Sequence, residues 1–205
     1  MRVNNTLSNI LNSKVKVDCL RHMCLYPTEL NGRELSRYLK VTHRSVHKAM
    51  RSLVDEGVAD FTLHGNSIGY KLNREKWIAK KILLPLFKSE KALLESVTEK
   101  IRIGIEGSPL KKNILSVVLF GSVHRKEDKS SSDFDIFVLI DQEGNVNSVE
   151  DEIIKIGSNI AKIYGVILGP YLKSLASFKK DKGLSVIKSI MASNRLIYGK
   201  ELTKI

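Results

Sequence analysis

The chain has 205 residues, of which 42% are hydrophobic and 27% are charged, a balance typical of globular proteins that excludes the disordered and fibrous classes. Lys and Arg outnumber Asp and Glu by 34 to 22, and the net charge of +12 favours anionic partners such as nucleic acid or nucleotides. The two cysteines form no CxxC pair, the N-terminus lacks an apolar signal segment, and no apolar run could span a bilayer, so we expect a cytoplasmic protein with no membrane partner.

The first 75 residues predict three helices followed by a β-hairpin. Apolar residues recur at helical spacing in a first helix that Pro27 ends, and a short second helix covers the sequence GRELSRYLK. A third helix, at about 43–56, carries an apolar stripe and ends at a glycine. The runs VADFTL and YKLN surround the turn HGNSIG at 64–69, which is typical of a hairpin.

This order of elements resembles winged helix-turn-helix DNA-binding domains over about residues 13–74. The resemblance implies that the third helix enters the major groove of double-stranded DNA and that the hairpin touches the backbone. With the apolar stripe turned inward, the opposite face carries four candidate DNA-binding residues, Arg44, His47, Lys48 and Arg51. Arg can bond guanine edges and Lys mainly neutralises phosphate. The alternative is an ordinary solvated helix face.

The next segment predicts a long helix with an interruption. Apolar residues keep roughly helical spacing up to the sequence GIEGSP at 104–109, and Pro85 is expected to kink the helix or divide it in two. The chain is therefore expected to consist of a winged helix-turn-helix domain at 1–75, a helical linker at 76–107 and a second domain at 108–205.

The second domain predicts alternating strands and helices. Strands are expected at 115–120, 133–140 and 165–172, with a helix at 149–164 after the second strand and further helices at the C-terminus. This order indicates α/β layers around a small mixed sheet. The fold class of the whole chain is accordingly α+β.

The segment VVLFGSVHRKEDKSSSDFDIFVLI, at 117–140, carries the chemistry of this domain. Asp133 and Asp135 are two residues apart at the start of a strand, so their side chains are expected on the same face. Two acids that head an apolar strand are costly unless a cation compensates them, which is the physical case for a metal site. Gly121 lets a phosphate approach backbone amides, and Ser122 adds a hydroxyl donor.

The same segment resembles the signature of polymerase-β-type nucleotidyltransferases, in which Gly-Ser precedes an Asp-x-Asp pair by about ten residues. The resemblance implies that Gly121 and Ser122 contact the phosphates of a nucleoside triphosphate. It also implies that Asp133 and Asp135 are the catalytic ligands of Mg²⁺ or Mn²⁺. Arg125 matches an arginine often found just after the Gly-Ser pair and is a further candidate for nucleotide binding.

Two positions depart from the family pattern. Active members usually bring a third carboxylate from a later strand, but the strand expected here, VILGPYL at 166–172, contains no acid. Its one ionisable group, Tyr171, is a poor base because the reference pKa of tyrosine is about 10. Lys126 also stands where a glycine commonly follows the matched arginine.

Two functions remain open at this point. The first is a DNA-binding protein whose second domain transfers a nucleoside monophosphate from an NTP to an acceptor that the sequence does not identify. The second is a transcriptional regulator whose transferase domain is catalytically impaired and acts as a nucleotide sensor or a dimerisation unit. A homodimer is compatible with both functions, because winged-helix proteins often bind palindromic sites as dimers, although no residue here indicates it.

Overall fold

A computed structural model describes residues 4–129 and 131–205 and divides the chain into two compact units, at 1–93 and 94–205. In the first unit, the elements are α1 (Thr6–Ile10), α2 (Lys14–Leu25), β1 (Leu30–Asn31), α3 (Gly32–Leu39), α4 (His43–Asp55), β2 (Ala59–His64) and β3 (Ser67–Leu72). The three strands form an antiparallel sheet in the order β1-β3-β2. Three helices followed by a two-stranded wing constitute a winged helix-turn-helix fold, as predicted.

Local sequence explains where the helices of this unit begin. The side chain of Asn31 accepts hydrogen bonds from the amides of Arg33 and Glu34, and Glu34 bonds back to the Asn31 amide, which together form a capping box at the start of α3. Thr42 caps α4 by accepting from the Ser45 amide at 3.2 Å. The inward faces of α2, α3 and α4 then bury one apolar core, which includes Leu20, Leu35, Met50 and Leu53.

The helical segment that follows contains a π-helix, at Ala79–Leu83, and continues as α5 (Leu84–Glu106). The expected interruption at Pro85 is therefore a change from π-helix to α-helix just before the proline. Pro85 lies in the first turn of α5, where the amide hydrogen that proline lacks is not needed for a helical hydrogen bond. Its first half buries Ala79, Leu83 and Phe87 in the core of the first unit, and its second half buries apolar residues in the second. The residues predicted as a linker thus belong to two cores.

The second unit is a four-stranded mixed sheet covered by helices on both faces. Its elements are β4 (Ile114–Leu119), α6 (Gly121–Arg125), β5 (Phe134–Ile140), α7 (Val146–Tyr164), β6 (Leu168–Ser174), α8 (Leu175–Lys180), α9 (Ser185–Ala192) and β7 (Arg195–Gly199). The strand order is β6-β5-β4-β7, in which the β5–β6 pair is parallel and the other two pairs are antiparallel. The end of α5 and α7 pack on one face, and α8 and α9 pack on the other.

Several predicted boundaries differ from the structure. The wing turn is shorter than the predicted 64–69, because Ser67 already pairs with His64 in the ladder. Part of the polar loop expected after Ser122 is the helix α6, which is too short to show a periodic pattern. The last strand of the predicted sheet begins at Leu168 instead of 165, and β7 was not predicted. Despite these shifts, the α+β fold class is confirmed.

No helix within the described parts of the chain is long and apolar enough to cross a membrane.

Candidate functional site

The two aspartates of the Asp-x-Asp pair lie where β5 begins. Asp133 immediately precedes the strand and is exposed, and Asp135 is its second residue and is half-buried. The backbone holds this end of β5 on both sides: the amide of Phe120 donates to the Asp135 carbonyl at 3.0 Å, and the amide of Phe134 donates to the Ile167 carbonyl at 2.8 Å. The carboxylates therefore stand at a fixed edge of the sheet, between β4 and β6.

Two glycines provide room for the carboxylates because they have no side chains. Gly121 has φ of +75°, and a Cβ at this position would collide with the Asp135 carboxylate, whose Cγ lies 2.9 Å away. A Cβ on Gly169 would lie 3.0 Å from Asp135 Oδ1 and 3.5 Å from Asp133 Cβ. Both aspartates therefore lie next to Gly169, on the face of β6 where a side chain at position 169 would point. The structure brings Gly121, Asp133 and Asp135 together.

The electrostatics of the pair favour a cation. Burial raises the pKa of Asp135, the Asp133 carboxylate raises it further, and the positive charge of Arg125 lowers it. Two carboxylates are hard oxygen donors of the kind that Mg²⁺ takes, usually one or two from the protein with the remaining positions filled by phosphate and water. In residues 4–129 and 131–205, no group of three or more His, Cys, Asp or Glu side chains is placed to hold a metal. The donor set therefore suits a metal that arrives with a phosphate ligand.

The other two predicted nucleotide contacts lie on the short helix between β4 and β5. Ser122 is half-buried, and its carbonyl accepts from the Glu127 amide at 2.9 Å. Arg125 is exposed and its Nε donates to Glu127 Oε2 at 2.9 Å, so this pair must open or turn for Arg125 to reach a phosphate. Lys126 ends the helix with φ of +60°, a left-handed conformation that glycine adopts most easily, which explains the glycine of the family pattern.

Strand register shows which β6 residues lie beside the carboxylate pair. On β6, Gly169 pairs with Asp135 and Tyr171 pairs with Phe137, so these two β6 residues share the face of the aspartates. Gly169 has no side chain, and the Tyr171 ring packs on Phe137 at 5.8 Å between centroids. Sequence analysis did not single out Gly169, since only the register of a pairing partner relates it to Asp135.

The nearest acid along that strand is occupied elsewhere. Asp181 accepts a hydrogen bond from Lys173 Nζ at 2.6 Å, and Lys173 pairs in register with Leu139. Lys173 Nζ also lies over the Tyr171 ring, 5.8 Å from its centroid. The Asp181 carboxylate therefore already has a cationic partner.

The four predicted DNA-binding residues lie together on one face of α4. Arg44, His47, Lys48 and Arg51 are all exposed, whereas Val46, Ala49, Met50 and Leu53 are buried on the opposite face. Among the ion pairs between described residues, none involves these four side chains. Their charge and donors are directed to solvent, as a groove-reading helix requires.

An acid that sequence analysis did not single out packs against the wing from the loop just before β1. Glu29 accepts hydrogen bonds from Thr62 Oγ1 at 3.2 Å and approaches His64 Nε2 at 2.5 Å, and its side chain lies over Gly69. The bond to His64 lowers the pKa of Glu29. No local pattern signals this contact because its partners are about 35 residues apart in sequence.

The second unit matches the model of one known protein family. The family model described as "Polymerase beta, Nucleotidyltransferase" matches residues 107–202. A search of curated proteins found no match. Similar solved structures include one described as "Crystal structure of the toxin-antitoxin with AMP-PNP", which is 18% identical with a TM-score of 0.32 over 51% of this chain and 76% of that chain.

A second similar structure is the archaeal chromatin protein TrmBL2, described as showing a novel mode of DNA binding. It is 17% identical with a TM-score of 0.29 over 91% of this chain and 76% of that chain. TM-scores this low carry no argument about either unit, so the winged-helix assignment rests on the topology given above.

Proposed function

We propose that residues 107–202, which match the family model described as "Polymerase beta, Nucleotidyltransferase", bind a nucleoside triphosphate with Mg²⁺ or Mn²⁺ and transfer a nucleoside monophosphate to an acceptor. We propose further that α4 binds double-stranded DNA. The observation that carries the first proposal is the carboxylate pair at the start of β5, where Asp133 and Asp135 border a gap that Gly121 and Gly169 keep clear.

In the proposed reaction, an acceptor oxygen attacks the α-phosphorus of the triphosphate. The bond between the α-phosphorus and the bridging oxygen breaks, and pyrophosphate leaves with that oxygen. A divalent ion supplies Lewis acidity that offsets the charge on the phosphates. Asp133 and Asp135 hold the ion, and the glycine at 121 lets the phosphate chain approach the backbone.

The acceptor must also give up its proton. With Gly169 in the place that a third carboxylate would take, no acid on β6 accepts this proton, and it passes to water. General bases typically contribute about 10²- to 10⁴-fold to such steps, so the proposed transfer is slow.

The same observation favours a second candidate function. A site that binds a metal and a nucleotide but lacks a base suits a regulator in which the nucleotide acts as a signal and is not consumed. Both candidates keep DNA binding through Arg44, His47, Lys48 and Arg51, which are exposed and outside ion pairs between described residues.

The experiment that separates the two candidates is incubation with each α-labelled NTP and Mn²⁺, in the presence of cell extract as the source of acceptors. We expect slow pyrophosphate release and label transfer by the wild type and none by Asp133→Asn/Asp135→Asn. Binding of NTP by the wild type without any transfer would support the regulator instead. Label transfer that survives both substitutions would rule out this site as the catalytic one.

A further inference from the structure

A buried histidine in the first unit has no role in either proposed site. His22 lies in the last turn of α2 and is 7% exposed. Both of its ring nitrogens are buried, and neither has a hydrogen-bond partner among the residues that the structure describes. A neutral imidazole carries one N–H donor and one acceptor, and burying such groups without a partner costs stability. An apolar side chain of similar size would avoid that cost, so packing alone does not explain the histidine.

Two tyrosine rings pack on the His22 ring and are themselves exposed to solvent. Tyr26, just after α2, lies 5.0 Å from it between ring centroids, and Tyr38, in the last turn of α3, lies 4.2 Å from it. The two tyrosine rings are 6.4 Å apart and are 43% and 57% exposed. Water therefore reaches the imidazole only when this contact between α2 and α3 opens.

The surroundings of His22 do not compensate a positive charge. Helix α2 packs against α3, α4 and β3, and the side chains that α4 buries are apolar. The titratable and charged groups within four residues of His22, in its ring cluster, or on and just after the packed strand β3 are Asp18, Cys19, Arg21, Cys24, Tyr26, Tyr38, Tyr70 and Arg74. The one carboxylate in this set, Asp18, already accepts hydrogen bonds from Lys14 and Arg21 at 2.6 Å. Arg74 brings a second cation, whose guanidinium donates to carbonyls at the end of α2 at 2.9 and 3.1 Å.

The direction of the pH effect follows from this burial. In the unfolded chain His22 has the ordinary pKa of 6.5, and burial lowers that pKa in the fold. The unfolded state therefore binds the proton more readily than the folded state does. Stability is fully present above pH 6.5 and is lost as the pH falls from 6.5 through the lowered folded pKa.

We propose that His22 is an acid-triggered opening point in the first unit. A protonated imidazole needs water or a partner, and His22 gains water by leaving the cluster with Tyr26 and Tyr38, which separates the ends of α2 and α3. The backbone beyond Tyr38 leads within five residues into α4, which begins at His43. Acid therefore loosens the part of the unit that supports α4, and neutral pH closes it again.

The test is amide hydrogen exchange of the full-length chain at pH 7.5 and 5.5, with each rate corrected for the intrinsic effect of pH on exchange. His22→Leu removes the titrating group and keeps a side chain of similar size, and the matched control, His43→Gln, changes an exposed histidine of the same unit. Because pH 5.5 is one unit below 6.5, we expect the protection of α2 and α3 to fall about five- to tenfold in the wild type and in the control. The His22→Leu chain should show no such fall.

An NMR titration of the wild-type chain tests the same proposal even if His22→Leu does not fold. We expect a His22 pKa below 6.5, and a value at or above 6.5 would overturn the proposal. Equal loss of protection in the wild type and in His22→Leu would assign the acid response to another group. Unchanged protection in the wild type would show that the fold accommodates protonated His22 without opening.

Discussion

The two units of the chain use charge in opposite ways. Each contains 17 Lys and Arg residues, but the first has 8 acids and the second has 14. In the first unit, four basic side chains stand exposed on one face of α4. In the second, Asp133 and Asp135 lie at the edge of the sheet, and the residues beside them, Gly121 and Gly169, have no side chains. We infer that both units bind phosphate, the first directly and the second through a metal ion.

The two sites should therefore respond differently to salt and to chelators. Binding through Lys and Arg releases counterions from DNA and weakens steeply as salt rises. Binding through carboxylates depends on the divalent ion and should be abolished by a chelator. The two routes can thus be separated in one protein, and each prediction below changes one of them alone.

The largest effect is expected when the missing carboxylate is supplied. Gly169→Asp places an acid opposite Asp135, whose carboxylate must shift by a few tenths of an ångström because the new Cβ would lie 3.0 Å from Asp135 Oδ1. As a general base, the new acid should raise the rate of nucleotidyl transfer by about 10²- to 10⁴-fold. Gly169→Asn has nearly the same volume without the charge and should give no increase. Rates of pyrophosphate release with NTP and Mn²⁺ measure the effect, and an equal rise in both variants would show that charge at 169 is not what limits the reaction.

The next effect concerns the basic face of α4. Arg44→Ala/Lys48→Ala/Arg51→Ala should weaken DNA binding by about 100-fold and reduce the salt slope by about 0.9 for each DNA phosphate that the variant no longer neutralises. The matched control is Lys80→Ala/Lys88→Ala/Lys91→Ala, which removes the same charge from exposed positions outside α4. Gel-shift titrations at several salt concentrations compare them. If DNA affinity falls equally in both triple variants, net charge and not α4 is responsible.

The smallest effect is on stability. Because burial and Asp133 raise the folded pKa of Asp135, its ionised form is disfavoured in the fold. The destabilisation is fully present above that raised pKa and disappears as pH falls through it toward the unfolded value of 3.8. Since Asp135 is partly exposed and water screens the charge, we expect less than about 1 kcal/mol.

Without metal, Asp135→Asn should therefore melt slightly above the wild type at neutral pH, and the difference should vanish once the pH falls below the unfolded value of 3.8. Thermal melts of both proteins in a chelator check this prediction. A variant that is less stable than the wild type at neutral pH would show that the charge is already compensated within the protein.

Much of the fold was predictable because its elements follow simple periodic patterns. The alternation of buried Val46 and Met50 with exposed Arg44 and Lys48 defines α4 and its outward face in the sequence itself. The Gly-Ser and Asp-x-Asp positions were likewise visible, since each marks the end or start of an apolar strand. The structure places these residues where the pattern led us to expect them, and the roles we assign to them remain proposals.

The features that could not be predicted depend on pairing between distant strands or are too short to show a pattern. Gly169 matters because it is the register partner of Asp135, and no local pattern encodes that register. The strand β7 was missed because a five-residue run after two helices does not differ from a loop. The five-residue helix α6 is likewise shorter than the window in which helical periodicity is detectable.

We propose that Asp133 and Asp135 bind a nucleoside triphosphate through a divalent ion. Calorimetric titration with an NTP analogue whose α,β-bridging oxygen is replaced by methylene measures this binding without transfer. We predict binding that requires Mn²⁺ or Mg²⁺, is abolished by chelator, and is weakened at least about 100-fold in Asp133→Asn/Asp135→Asn. Equal affinity in wild type and variant, or binding that persists in chelator, would contradict the account.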